Sequence, residues 1–330
     1  MKLLETLNGY VDPVKPVWMM RQAGRYLPEY KKLRSNFKGF IDFCFNSEAV
    51  VEATLQPIKR FDLDAAIIFS DILVIPHCLG QNVNFVENVG PVLDELENIE
   101  TILDQQIAPN IATVYESITK TRQHLAANKA LIGFAGCPWT VASYMLGYNK
   151  TKGFQQALLK AQNTPNFEVV LTKLAHHIAD HCINQINAGA NVIQLFESWA
   201  SVVPVDKIQS WVFSKSRLII EKVRNLHPNV PIIYFAKGRV IEAMQNLRDL
   251  NIAFSVDENT NLFDLPHTSG CLQGNLSPLK LVDGNFEGDV VNILNFAKEK
   301  PFVVNLGHGI LPHTPIENVE KFINMVRFGY

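Results

Sequence analysis

Nowhere in the 330-residue chain do apolar residues run to the roughly 18 that a bilayer-crossing helix requires, so no membrane span is expected. With 47% hydrophobic and 19% charged residues, the chain is equally unlike a disordered segment. Cysteine is sparse. Cys44, Cys78, Cys137, Cys182 and Cys271 are odd in number, scattered, and form no Cys-x-x-Cys pair. That pattern argues against a disulfide framework and a structural zinc site, and for a reducing compartment. Net charge is almost absent: at −2 the whole-chain field attracts neither nucleic acid nor anionic lipid. Any handling of anions must therefore come from a local basic cluster. The first residues, Met1 to Asn8, lack the basic-then-apolar order of a secretory signal, and the expected location is the cytoplasm. Also missing are a Gly-x-Gly-x-x-Gly turn after the first apolar run, a Gly-rich phosphate loop, a nucleophile elbow and a Cys/His catalytic pair. Phosphoryl and acyl transfer lose ground accordingly. No internal repeat, low-complexity tract or linker divides the chain, so residues 1–330 are expected to form a single domain.

What the chain does contain is a series of short apolar runs, each ending at glycine or a polar residue before helical periodicity begins. They are Val17 to Met20, Ala65 to Phe69, Leu131 to Ala135, Asn191 to Phe196, Ile232 to Ala236, Ile252 to Val256, Cys271 to Gln273 and Phe302 to Leu306. Between them, Ser47 to Arg60 reads as a helix with a Ser cap, and Phe167 to Asn187 puts Val170, Leu174, Ile178, Cys182 and Ile186 on one face. Strand alternating with helix implies a parallel sheet buried on both sides, and continuous apolar strands such as Ala-Ala-Ile-Ile-Phe at 65–69 suit such burial. Eight runs close a (β/α)8 TIM-type barrel, regular or distorted. A doubly wound open sheet is the competing architecture. The segment from Ile72 to Ala130 is the loosest, with a polar turn at Asn88-Val89-Gly90-Pro91 and a helix through Ile111 to Leu125. It is expected to decorate the barrel mouth.

In such barrels the catalytic groups gather at the C-terminal ends of the strands. Those ends deliver Arg21 and Arg25, Asp71, Cys137 to Thr140, Glu197 and Ser198, Lys237, Asp257 and Glu258, Asn275, and His308. Arg21 and Arg25 follow an apolar run directly, with Gly24 between them allowing a ligand close to the backbone; their guanidinium forks match carboxylates. Structural ion pairs at the surface are the plainer alternative. Arg34 lies two turns further on and extends the same patch. Asp71 ends a hydrocarbon strand, so its carboxylate must meet donors, either a neighbouring arginine or N–H groups of a ligand. His308, between Gly307 and Gly309, is left open by its small neighbours. His177 and His181 have a spacing that could hold zinc, but with His176 they sit mid-helix and are expected to form a solvated face.

These residues resemble one family. Pro16-Val17-Trp18-Met19-Met20-Arg21-Gln22-Ala23-Gly24-Arg25-Tyr26-Leu27-Pro28-Glu29 is similar to the N-terminal signature of the uroporphyrinogen decarboxylase family. Phe69-Ser70-Asp71-Ile72-Leu73, Gly133 to Thr140, Gln194 to Ser198, Gln273 to Leu276 and Asn305 to Gly309 resemble family segments in the same order. Ser201 and Ser277 depart from it, where Gly and Asp are usual. The resemblance implies loss of the four acetate carboxyls of uroporphyrinogen III as CO2, giving coproporphyrinogen III, with no metal, flavin or other cofactor. It implies that Arg21, Arg25 and Arg34 bind carboxylates, with Gln22, Ala23 and Gly24 shaping the turn. Asp71 would sit under the macrocycle, Tyr144 and Ser198 would hydrogen-bond substrate, and His308 would face a propionate. Arg21 is assigned provisionally as proton donor. A homodimer with facing mouths is implied as well. Two other readings stand beside it: a corrinoid-linked methyltransferase, against which no histidine is followed two residues later by cysteine, and a tetrapyrrole-binding protein without turnover.

Overall fold

The computed structural model describes residues 1–87, 89–268 and 270–329; Asn88, in the polar turn singled out above, lies outside them. Seven parallel strands form one sheet in the order β1 (Ala65–Ile67), β4 (Ala130–Gly136), β5 (Val192–Glu197), β6 (Ile232–Ala236), β7 (Ala253–Ser255), β8 (Leu272–Leu276) and β9 (Phe302–Leu306). A separate antiparallel hairpin joins β2 (Val83–Val86) to β3 (Gly90–Leu93). Each parallel strand pairs with the next in sequence, as right-handed strand–helix–strand units require. The open-sheet alternative is overturned, because no strand order reverses.

The first apolar run is not a strand. Val17 makes a single parallel bridge to Val304, with the Trp18 N–H donating to the Val304 carbonyl (3.4 Å) and the Val304 N–H to the Pro16 carbonyl (2.8 Å). On its other side the Asp64 N–H donates to the Val17 carbonyl (2.9 Å). The run thus lies between β9 and the start of β1, in the eighth position, without a full ladder. Pro16 supplies no N–H there, and side chains take over the missing bonds. The Asp64 carboxylate accepts from the Val17 N–H (2.7 Å), and Asn305 Oδ1 accepts from the Met20 N–H (3.0 Å).

Two cores follow from strands buried on both faces. The inner one is made by Trp18, Met20, Ile67, Ile132, Val192, Ile233, Phe235 and Val303, closed at one end by Leu3 of the helix Lys2–Leu7. It encloses a polar chain: Trp18 Nε1 donates to Gln273 Oε1 (2.9 Å), and Gln273 Nε2 donates to Gln194 Oε1 (3.2 Å) and Ser255 Oγ (3.1 Å). Buried amides are tolerable there because they satisfy one another. The outer core lies between strands and helices. Val170, Leu174, Ile178 and Cys182 of the helix Phe167–Asn187 are fully covered in it.

Three local expectations are corrected. The helix Ser47–Arg60 is capped not by Ser47 but by Asn46, whose Oδ1 accepts from the Ala49 N–H (3.0 Å). His181 does not belong to a solvated face: it is buried, bonded through Nδ1 to the Tyr115 hydroxyl (3.1 Å), and burial pushes it down to about 4. The segment after Ile72 is only partly decoration. It carries the hairpin, but its helix Ala112–His124 packs on the helix Ser47–Arg60 as a regular outer-layer helix.

Candidate active site

The turn at 21–25 is fixed from below. Gln22 is buried, with Oε1 accepting from the Met19 N–H (3.1 Å) and Nε2 donating to the Ala65 carbonyl (3.0 Å), so both ends of its amide are engaged within the protein. Its carbonyl accepts from the Tyr26 hydroxyl (2.8 Å). Gly24 sits over the Arg21 carbonyl, where a β-carbon would come within 3.0 Å, and Ala23 packs against the outer core. Clamped this way, Arg21 adopts φ of +62°, a left-handed conformation uncommon outside glycine that costs about 1–3 kcal/mol and collects at functional sites. Its side chain crosses the chain at Gly309, where a β-carbon would fall 2.4 Å from Arg21 Cδ and 2.8 Å from Cγ.

Among the described residues, neither Arg21 nor Arg25 makes an ion pair or a hydrogen bond, and both are exposed. Their neighbour Arg60 shows the contrast, gripping Glu29 through two bonds of 2.8 and 3.0 Å. The plain surface-ion-pair alternative therefore fails for the two arginines of the turn. Arg34 ends the helix Pro28–Arg34 half-buried, with Nη1 donating to the Phe37 carbonyl (2.6 Å).

Asp71 stands just beyond β1, accepting from the Leu73 N–H at 2.8 Å through Oδ1. It is only partly covered. The surrounding protein nevertheless desolvates it and pushes the carboxyl up to about 6, against the Leu73 N–H and the Arg21 charge, which favour ionisation. His308, just beyond β9, feels the same Arg21 charge. The Gly309 N–H donates to His308 Nδ1 (2.7 Å), which leaves the proton on Nε2, and burial together with the charges of Arg21 and Lys237 holds the ring down at about 3. It is a neutral N–H donor. Tyr144, on the helix Pro138–Met145, feels both Asp71 and Arg21, and burial raises its hydroxyl far above the ordinary value. The structure therefore brings Asp71, Tyr144 and His308 within the electrostatic reach of Arg21. Arg34 belongs to the same side, since its charge and that of Asp71 both bear on buried Cys44.

Tyr148 and Phe154 were not singled out from the sequence, and Glu197 and Lys237 stood there only as strand-end residues without an assigned role. Tyr144, Tyr148, Phe154 and Trp199 form an aromatic wall, with Tyr148 stacked on Phe154 at 3.9 Å and Trp199 edge-on to Tyr148 at 5.0 Å. Half-exposed Ser198 lies between that wall and Glu197. Lys237, paired with Glu258 at 3.3 Å, adds a cation beside His308. Glu197 is wholly buried, and burial raises its carboxyl to about 8 despite a hydrogen bond from the Thr140 hydroxyl. Among the described residues no three His, Cys, Asp or Glu side chains are grouped to hold a metal ion.

Fold and mouth together define an α/β-barrel enzyme whose site suits an anionic small molecule. The family model described as Uroporphyrinogen decarboxylase (URO-D) matches residues 1–328. Uroporphyrinogen decarboxylases of Chelativorans sp. (strain BNC1) and Rickettsia rickettsii (strain Sheila Smith) are each 42% identical, over 336 and 334 residues, covering 99% of this chain and 98% and 96% of theirs. The chain belongs to the uroporphyrinogen decarboxylase family. Among solved structures, a methyltransferase from Methanosarcina mazei superimposes with a TM-score of 0.77 at 20% identity, covering 99% of this chain and 97% of that one. At that identity it shares the fold alone.

Proposed function

We propose that the chain, as a single barrel domain, decarboxylates the acetate side chains of uroporphyrinogen to give coproporphyrinogen. The observation that carries this reading is Arg21, without an ion pair or hydrogen bond among the described residues, acting on the half-buried carboxylate of Asp71. A macrocycle with eight carboxylates on its rim and pyrrole N–H groups at its centre needs both. In this reading Arg21, Arg25 and Arg34 take rim carboxylates, and His308 adds a neutral N–H. Gln22, Ala23 and Gly24 hold the arginine turn in shape. Tyr144 and Ser198 donate from the opposite wall.

Asp71, ionised at neutral pH, accepts the pyrrole N–H bonds. When a pyrrole carbon beside the reacting acetate takes a proton, the ring becomes cationic, and the fixed negative charge of Asp71 stabilises it. The acetate C–C bond then breaks, CO2 leaves, and its electron pair neutralises the ring. A second proton then converts the methylene carbon to a methyl group, and the ring carbon gives its first proton back, so the aromatic pyrrole is restored and one proton is consumed per CO2 released. In this reading Arg21, whose side chain lies over Gly309 and whose charge acts on Asp71, delivers the proton, although an arginine yields a proton reluctantly.

The methyltransferase alternative is not favoured by the family match, and the barrel likeness to a methyltransferase carries only the fold. Incubation with uroporphyrinogen, with products separated by carboxyl number, should yield hepta-, hexa-, penta- and tetracarboxylic species with one CO2 each. Absence of all four sinks the reading. We place the protein in the cytoplasm as a homodimer; the five cysteines, all buried and free, suit a reducing compartment, and light scattering at twice the 37.1 kDa chain mass tests the dimer.

A further inference from the structure

The helix Pro138–Met145 carries Tyr144, yet its start lacks a cap of its own: Cys137 occupies the N-cap position and makes no side-chain bond to the first turn. Helix N-termini need acceptors for their free N–H groups. Here the acceptor comes from another strand. Glu197, the last residue of β5, turns its carboxyl to the N–H groups of Trp139 and Thr140 and takes the Thr140 hydroxyl on Oε1. The same hydroxyl accepts from the Trp199 N–H (3.3 Å), and Trp139 Nε1 donates to the Trp199 carbonyl (3.0 Å). The carboxyl thus ties the helix bearing Tyr144 to the segment bearing Ser198 and Trp199.

Among the described residues its other oxygen, Oε2, is buried with no partner, and no lysine or arginine acts on the group. The titratable groups that face it are Cys137, at the helix start, and Tyr234, on β6, both kept neutral by burial. An ionised carboxylate in such surroundings is costly, whereas a carboxylic acid is not.

We propose that Glu197 is a positioning residue, which as an uncharged acid holds the Tyr144 helix and the Ser198–Trp199 segment in one arrangement. Ionisation places an uncompensated charge on Oε2, and the arrangement loosens. The raised carboxyl, at about 8, puts this change just above neutral pH.

Two measurements test the idea, and only the first rests on the decarboxylase reading. In steady-state kinetics over pH 6.5–9.5, Glu197→Ala should lower kcat/KM by about a hundredfold, the order expected for an ångström of misplacement. Glu197→Gln, an uncharged isostere, should rescue most of that loss and remove the fall in rate seen in the unsubstituted protein as pH rises through about 8. The second measurement is the pH titration of intrinsic tryptophan fluorescence, which needs no substrate. It should show a transition near pH 8 from Trp139 and Trp199 that is absent in Glu197→Gln. A fluorescence transition that persists unchanged in Glu197→Gln, or full activity in Glu197→Ala, overturns the proposal. A protein with no turnover at any pH but a Glu197-dependent transition overturns the decarboxylase reading and leaves the positioning role standing.

Discussion

Asp71 works at odds with its surroundings. Its carboxyl keeps a proton up to about pH 6, above the ordinary carboxyl range, because the mouth desolvates it. Folding therefore raises its proton affinity, and ionising it above pH 6 costs the folded state stability that the unfolded chain does not lose. Asp71→Asn should accordingly melt at a higher temperature than the unsubstituted protein at pH 7.5 while losing measurable decarboxylation; a lower Tm with retained activity contradicts both roles. The same value fixes an acid limb. Below about pH 6, kcat/KM should fall about tenfold per unit. Pyrrole N–H bonds favour the ionised form in the complex, so the limb in kcat should lie at lower pH.

Two glycines near His308 separate structural from functional crowding. A β-carbon at 307 would meet the Glu258 backbone nitrogen at 2.2 Å, so substitution there strikes main chain. At 309 the three nearest atoms all belong to the Arg21 side chain, which can swing away. Gly309→Ala should therefore leave the melting temperature nearly unchanged while displacing Arg21, with kcat/KM down about ten- to a hundredfold. Steady-state kinetics beside a thermal melt would separate the two outcomes.

At the scale of elements, the seam between β9 and β1 depends on one carboxylate. Asp64 accepts from the Val17 N–H and from Arg327 Nη2, each at 2.7 Å, and Arg327 belongs to the last helix, Ile316–Phe328. Both side chains are largely covered, at 14% and 10% exposure, and without Asp64 the guanidinium of Arg327 keeps only Asp62, through its carbonyl (2.6 Å) and its exposed carboxylate (3.6 Å). Asp64→Ala should cost about 2–4 kcal/mol in urea unfolding. It should also raise KM, because the run it anchors leads straight into Arg21.

This seam also shows what sequence could and could not convey. Seven of the eight apolar runs became strands because burial on both faces leaves a continuous hydrophobic mark. The eighth carries the same mark but not the ladder, since its bonds come from Asp64, Gln22 and Asn305, residues distant or polar. Arg21 and Asp71 were legible as charges stranded at strand ends. Glu197 was not, because a glutamate in that position reads as facing the mouth. One signal was available: Pro138 opens a helix directly after Cys137, and a helix start without Ser, Thr, Asp or Asn must borrow its acceptor from elsewhere.

For the whole molecule, a net charge of −2 gives a polyanionic substrate no long-range welcome. Attraction has to arise at the mouth, from Arg21, Arg25, Arg34 and Lys237, over distances comparable with the ~8 Å screening length at physiological salt. Of these, Arg25 is exposed and has no ion-pair partner among the described residues, and so contributes mainly to capture. Salt should then lower kcat/KM several-fold between about 20 and 500 mM NaCl while kcat changes little, since groups already in contact with substrate are screened far less. Arg25→Gln should lower kcat/KM at low salt and flatten this dependence. Initial rates at subsaturating substrate across the salt series would decide it: a slope as steep in Arg25→Gln as in the unsubstituted protein would mean that capture is governed elsewhere on the rim.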